Sequence, residues 1–188
     1  MEAFFVSAAV IAVAEIGDKT QLLALMLAAR YRKPLPIILG ILCATLANHA
    51  LAAWIGAEVA AWVGPERMRW ILGVTFIVMA GWCLIPDKAD DGPQAARQAG
   101  AFLATLVAFF IVEIGDKTQI ATVALAARFN SLVLVTAGTT VGMLLVNAPV
   151  VLFGDAIAKR LPLRIVRVVA ALLFVALGLV AILMPAPH

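Results

Sequence analysis

The stretch AEIGDKTQ at residues 14–21 returns almost unchanged as VEIGDKTQ at residues 112–119, and each copy lies within a long apolar run. The copies are 98 residues apart, and the same offset, without a gap, pairs residues along both halves of the chain: Arg30 with Arg128, Gly40 with Gly138, Gly56 with Gly154 and Phe76 with Phe174. The repeat therefore extends well beyond the motif, and the sequence predicts a chain built from two related halves.

The composition excludes a water-soluble protein. Among the 188 residues, 64% are hydrophobic and 13% are charged, against about 45–50% and about 25% in ordinary globular chains. The mean hydropathy is +1.07. Because a chain this apolar cannot cover its own core with polar surface, the sequence predicts an all-α integral membrane protein embedded in the lipid bilayer.

Six apolar stretches are long enough to cross a bilayer, for which a helix needs about 20 residues. They are Ala3–Ala29, Leu35–Val63, Met68–Ile85, Ala101–Ala127, Leu132–Ala158 and Leu163–Met184. We therefore expect six transmembrane helices, with a first three-helix repeat over residues 1–86, a linker over 87–100 and a second three-helix repeat over 101–188. Since three is odd, the second repeat enters the membrane from the opposite side, which predicts two inverted repeats as in many secondary transporters.

The basic residues indicate the orientation of these helices. With six spans both termini lie on one side of the membrane, and that side holds three basic residues: Arg67, Arg69 and Arg128. The other side holds nine: Arg30, Arg32, Lys33, Lys88, Arg97, Lys159, Arg160, Arg164 and Arg167. The positive-inside rule then predicts external termini and a cytoplasmic linker. The net charge of +3 is thus a topology signal, and no nucleic-acid partner is predicted.

Six ionisable residues lie near the middle of the first and fourth predicted spans: Glu15, Asp18, Lys19, Glu113, Asp116 and Lys117. At the bilayer centre each costs about 2.5–3.5 kcal/mol to insert, so their presence indicates a function. In a continuous helix the Glu and the Asp share one face, and the Lys lies beside them. Gly17 and Gly115 permit a bend or a break within each copy.

Two interpretations of these charges are open. In the first, Glu15–Lys19 and Glu113–Lys117 are ion pairs within one helix, which leave both aspartates unpaired. In the second, four carboxylates against two ammonium groups leave a charge of minus two, which a divalent cation would balance. Oxygen ligands of this kind suit calcium, magnesium or manganese. The second interpretation predicts metal ligands facing each other across one central site, Glu15, Asp18, Glu113 and Asp116, with supporting residues Gly17, Lys19, Thr20, Gln21, Gly115, Lys117, Thr118 and Gln119.

Other polar residues give weaker signals. Asn48 and His49 lie within the second span, and Asn147 is the repeat mate of His49. We interpret them as donors of hydrogen bonds between helices, with a role as ligand or proton carrier as the alternative. Thr45 is interpreted as a packing or back-bonding residue, and the glycines of the GxxxG at 138–142 as packing residues. The cysteines, Cys43 and Cys83, are interpreted as small buried side chains without a disulfide. No hydrolase or nucleotide-binding motif occurs, so no enzyme is predicted.

The doubled E-x-G-D-K-T motif resembles the signature of uncharacterised protein family 0016, a family of cation/proton exchangers that includes bacterial manganese exporters and eukaryotic Golgi transporters of manganese and calcium. The resemblance covers the whole chain and implies export of Mn2+, or transport of Ca2+ as in some relatives, in exchange for protons. It maps the family motif onto residues 15–20 and 113–118. The chain lacks the long amino-terminal targeting region of eukaryotic members, which favours a bacterial inner membrane and manganese as the cargo.

Three other functions compete with this one. A passive divalent-cation channel would need the same acidic centre but no coupling to protons. An exporter of another small solute would need a larger, partly apolar pocket. An assembly protein would use its buried charges only to associate helices. No cofactor is predicted besides the transported ion, and the sequence does not specify an oligomeric state.

Overall fold

The computed structural model describes residues 1–85, 100–154 and 163–183, and eight helices account for its regular structure. They are α1 (Glu2–Glu15), α2 (Lys19–Tyr31), α3 (Pro34–Val63), α4 (Pro65–Cys83), α5 (Ala101–Glu113), α6 (Lys117–Phe129), α7 (Leu132–Phe153) and α8 (Leu163–Leu183). Over these residues the predicted all-α class is confirmed. The predicted linker lies outside the described residues apart from Gly100.

The repeat in the sequence reappears in the helix boundaries. The ends of α1 and α5, and the starts and ends of α2 and α6, fall on residues that the 98-residue offset pairs. The stretches expected to form the first and fourth spans are each divided into two short helices of 13 or 14 residues. The break that the motif glycines permit is therefore present in both copies. The expectation that Glu and Asp share one face of a continuous helix is wrong.

Among the described residues, three helices are long and apolar enough to cross a membrane by length and composition: Pro34–Val63, Leu132–Phe153 and Arg164–Leu183. Helix α5 is apolar but shorter. In the described part of the chain Glu15, Asp18 and Glu113 are fully buried within a mainly apolar core, while many large apolar side chains are exposed on the outside. Trp62 and Trp70, on either side of the α3–α4 turn, are 89% and 51% exposed. This distribution is that of a multi-pass membrane protein.

Small residues allow the long helices to pack closely on the short ones. Helix α7 packs along α1, and α3 packs along α5. These two contacts are equivalent, because α3 is the repeat mate of α7 and α1 is the repeat mate of α5. A Cβ atom added at Gly138 or Gly142 would collide with the backbone oxygen of Phe4 or Ala8 in α1. Gly40 has the same role in α3 against α5. The interpretation of the GxxxG as a packing motif is confirmed.

Helices α4 and α8 pack against each other in opposite directions. Arg69 near the start of α4 donates a hydrogen bond to the Ile182 carbonyl near the end of α8, at 3.2 Å. Further along, Phe76 stacks on its repeat mate Phe174 with ring centroids 6.1 Å apart. Contacts thus move toward the start of α8 as they move along α4, so the two helices are antiparallel.

Candidate cation site

Each copy of the motif forms a sharp helix break that only glycine accommodates well. Helix α1 ends at Glu15, and Gly17 follows with φ +81°. Asp18 is the N-cap of α2, and its side chain accepts a hydrogen bond from the Lys19 backbone N–H. Gly115 has φ +74° at the second break. Side chains with a Cβ rarely adopt this left-handed conformation, so the glycine places the aspartate at the start of a new helix.

The motif glutamines hold both breaks in shape. The Gln21 side-chain oxygen accepts a hydrogen bond from the Gly17 N–H at 3.0 Å. Gln119 makes the same bond to Gly115 at 2.7 Å. An aspartate N-cap followed three residues later by a glutamine is close to a capping box, a signature of helix starts. D-K-T-Q therefore carried a signal for the break that the sequence analysis did not use. These glutamine oxygens are engaged with backbone rather than offered to a ligand.

Each motif lysine pairs with the aspartate of the other repeat. Lys19 Nζ lies 3.3 Å from Asp116 Oδ1, and Lys117 Nζ lies 3.0 Å from Asp18 Oδ2. The Glu15–Lys19 and Glu113–Lys117 ion pairs of the first interpretation are not formed. That interpretation, in which both aspartates are unpaired, is therefore wrong. The physical reason is the helix break, which removes the aspartate from the glutamate face and places it at a helix start beside the other motif.

The glutamates are held instead by the long helices. Glu113 accepts hydrogen bonds from the Thr45 hydroxyl at 2.8 Å and from the Asn48 amide at 3.2 Å. Glu15 accepts one from the Asn147 amide at 3.1 Å. The predicted hydrogen bonds between helices are confirmed for both asparagines. The interpretation of Thr45 as a packing or back-bonding residue is wrong, because its hydroxyl donates to a buried carboxylate that the sequence alone did not place beside it.

His49 departs from the prediction made for it. Its ring is fully buried, and neither ring nitrogen has a hydrogen-bond partner within residues 1–85, 100–154 and 163–183. The predicted hydrogen bond between helices is therefore wrong for this residue, although its repeat mate Asn147 does make one to Glu15. Asn48, the neighbour of His49 in the chain, donates a hydrogen bond to Glu113 instead.

The threonines of the two motifs also differ. Thr118 donates a hydrogen bond to Asp116 Oδ2 at 3.2 Å. The Thr20 hydroxyl is buried and, in the part of the chain that the structure describes, makes no hydrogen bond. The two copies are thus closely similar in backbone but not identical in their side-chain contacts.

All four motif carboxylates lie in the interior, with exposures between 0 and 2%. Each motif aspartate is paired with a lysine in this structure. Among the described residues, no group of three His, Cys, Asp or Glu side chains is assembled to hold a metal ion. The aspartates sit at the positive N-terminal ends of α2 and α6, where anions are stabilised. Each aspartate thus already has a cationic partner in the lysine of the other repeat.

An acidic centre, enclosed by helices with apolar outer faces and with a helix break in each motif, is typical of secondary transporters of ions. The sequence matches the family described as divalent cation/proton antiporter GDT1 over residues 3–91 and 101–187, and the chain belongs to this family. The family resemblance expected from the motif is confirmed, and the family is one of transporters rather than enzymes.

Relatives of the chain include a bacterial protein and several plant proteins. A Vibrio cholerae protein named "Putative manganese exporter" is 54% identical over 180 residues, which cover 95% of this chain and 90% of that protein. GDT1-like protein 5 of Arabidopsis thaliana is 28% identical over 223 residues, with 98% and 97% covered. GDT1-like protein 4 of Oryza sativa subsp. indica is 27% identical over 204 residues, with 95% and 72% covered. No solved structure matches the chain.

Proposed function

We propose that this protein exports Mn2+ from the cytoplasm in exchange for protons, with Glu15, Asp18, Glu113 and Asp116 as the carboxylates that bind the cargo. The family supplies the reaction class, divalent cation/proton antiport. The name of the Vibrio cholerae relative supports manganese as the cargo. The observation that carries the proposal is the reciprocal pairing of Lys19 with Asp116 and of Lys117 with Asp18, which joins both repeats in one buried acidic centre.

In this mechanism the lysines act as tethered counter-cations. With four carboxylates and two ammonium groups ionised, the centre carries a charge of minus two, which one divalent cation neutralises. Mn2+ would displace one or both ammonium groups from the aspartates and gain carboxylate oxygens as ligands. Protons bind to the same carboxylates, so metal and protons compete for one site. That competition is the physical basis of exchange, because loading with one ion requires release of the other.

The proposed architecture is six spans in two inverted repeats. The segment from Glu2 to Tyr31, comprising α1 and α2, would form one broken span, and α5 with α6 its counterpart. The antiparallel packing of α4 on α8, which are repeat mates, supports a two-fold relation between the halves. The packing of α7 on α1 and of α3 on α5 supports the same relation, because exchanging the two halves converts one contact into the other. Broken helices that meet at the membrane midplane are a recurring basis of ion sites in transporters.

We infer a location in the bacterial inner membrane, with both termini external and the linker at 87–100 cytoplasmic. The support is the nine-to-three distribution of basic residues between the two sides. A membrane potential that is negative inside opposes the export of a divalent cation by about 4.6 kcal/mol per 100 mV, twice the value for one charge. A passive channel would therefore carry the cation inward, and export needs the proton exchange that the family performs.

Neutral variants of the four carboxylates test this proposal. Glu15→Gln, Asp18→Asn, Glu113→Gln and Asp116→Asn should each abolish or strongly reduce Mn2+ transport per folded molecule, because each removes a ligand charge while keeping the side-chain shape. Transport is measured in sealed vesicles and divided by the amount of folded protein from size-exclusion chromatography. Glu58→Gln is the matched control, since Glu58 is exposed on α3. Normal transport by all four site variants would overturn the proposal, and an equal loss in Glu58→Gln would remove its specificity.

A further inference from the structure

The two helix breaks differ in how they are covered. Ile16 and Gly17 at the first break line a small enclosed cavity of about 10 Å3, together with Cys83 of α4, Lys117 of α6 and Arg167 of α8. A cavity of this volume holds about one water molecule. At the second break Ile114 is 57% exposed, and a Cβ atom added at Gly115 would meet nothing within 4 Å. The first break is therefore the more covered of the two, because Ile16 and Gly17 are half-buried while Ile114 and Gly115 are exposed.

The arginines on α4 and α8 account for this difference. Arg69 and Arg167 are repeat mates. Arg69 is drawn away from the second break, because its guanidinium pairs with Glu66 at 2.6 Å and donates to the Ile182 carbonyl. The repeat mate of Glu66 is Arg164, so the acid that holds Arg69 is replaced by a base beside Arg167. Arg167 has no such acid three residues before it, and it lines the cavity at the first break.

We propose that Arg167 is a gating residue that closes the cation site on the side of the membrane where α8 begins, and that Arg69 closes the second break in the opposite conformation. The proposal rests on the antiport function proposed above, because exchange requires a site that opens to one side at a time. Arg167 is a positioning residue and not a ligand, since a guanidinium cannot coordinate a cation. Its charge, close to Lys117, repels an approaching divalent ion, and its side chain lines the cavity beside Gly17.

The Glu66–Arg69 pair makes the gate reversible. Glu66 is 68% exposed and Arg69 is 26% exposed, so their ion pair is partly solvated. Such pairs contribute little to stability. Arg69 can therefore leave Glu66 and cover Ile114 and Gly115 at small cost when Arg167 withdraws. The two halves differ in one acid, which is present at position 66 and absent at position 164. This difference determines which side of the site is closed at rest.

Cys83 provides a direct probe of the gate, because it lines the same cavity and is 3% exposed. In a Cys43→Ser background Cys83 is the remaining cysteine of the chain. A membrane-impermeant maleimide is added to either face of sealed vesicles, without metal. We expect slow labelling in the parent protein. In Arg167→Gln we expect labelling roughly tenfold faster, the response to about 1.4 kcal/mol of lost closure, and only from the face where α8 begins.

Three variants control for charge and folding. Arg164→Gln removes the same charge from an exposed position on α8 and should label at the parent rate. Arg167→Lys keeps a long cationic side chain and should stay slow. Arg69→Gln weakens closure of the opposite conformation and should not accelerate labelling. Parent-like labelling of a folded Arg167→Gln, or equal acceleration in Arg164→Gln, would overturn the gate. Since labelling uses no metal, either outcome leaves the transport proposal to its own test.

Discussion

At the scale of single residues, each motif lysine is the counter-ion of an aspartate in the other repeat. Lys117 is 6% exposed and its partner Asp18 is fully buried, whereas Lys19 is 22% exposed. Breaking a buried pair leaves a charge without compensation in a medium of low dielectric constant, which costs about 3–5 kcal/mol. Loss of Lys117 should therefore cost more than loss of Lys19, which is the more exposed of the two lysines.

A double-mutant cycle on Lys117 distinguishes pairing between repeats from pairing within a helix. Lys117→Met should lower the free energy of unfolding by about 3–5 kcal/mol, because it leaves Asp18 buried and charged. Adding Asp18→Asn should restore most of this loss, and asparagine keeps the N-cap of α2. Adding Glu113→Gln should not restore it. Thermal unfolding in detergent measures these three variants together with the single variants Asp18→Asn and Glu113→Gln, which complete the two cycles.

The cycle with Glu113 is the matched control for the cycle with Asp18, because the two acids are alternative partners of Lys117. Glu113 is the acid four residues before Lys117 and the partner expected in a continuous helix. A coupling energy with Glu113 that exceeds the one with Asp18 would contradict the arrangement described here. Restored stability without restored transport in the Asp18 pair would agree with a role for that carboxylate as a ligand.

At the scale of the helices, close packing of long on short helices sets the position of the glutamates. Helix α7 carries Asn147, which donates to Glu15, and it approaches α1 at Gly138 and Gly142. Helix α3 does the same for α5, with Gly40 at the approach and Thr45 and Asn48 as donors. Any added volume at these glycines would therefore separate a carboxylate from its donor.

Gly138→Ala should lower the free energy of unfolding by about 1–3 kcal/mol, because its Cβ collides with the backbone of α1, which cannot move as a side chain does. Transport should fall as well, since the shift moves Glu15 away from Asn147. Gly81→Ala on α4 is the control, because a Cβ there meets nothing within 4 Å. It should be neutral or slightly stabilising. Equal thermal stability of the two variants would contradict the packing described for α7.

Much of the helix arrangement is predictable from the sequence. The remainder is not predictable, and the reasons are physical. The apolar runs and their offset predicted the long helices α3 and α7 and the division of the chain into similar halves. Hydropathy does not register the break after Glu15, because two half-helices are as apolar as one helix. The capping signature at residues 18–21 did carry that information. The pairing of Lys117 with Asp18 depends on tertiary contacts between segments about 100 residues apart.

At the scale of the whole molecule, the two halves are alike in backbone and different in a few charges. The repeat pairs Glu66 with Arg164 and His49 with Asn147, so the sequence itself breaks the symmetry on both sides of the centre. These substitutions make the two sides of the centre chemically different, whereas the direction of a coupled exchange is set by the gradients of the two ions.

The most direct test of proton-coupled export is Mn2+ uptake by sealed inside-out vesicles, with the membrane potential clamped at zero by potassium and valinomycin. The lumen of such vesicles corresponds to the exterior, and the lumen is made acidic, neutral or alkaline. Mn2+, Ca2+ and Mg2+ are compared. We expect an acidic lumen to accelerate Mn2+ accumulation and an alkaline lumen to slow it, at constant voltage. A rate that ignores the pH gradient and follows an imposed voltage alone would contradict the account and indicate a channel.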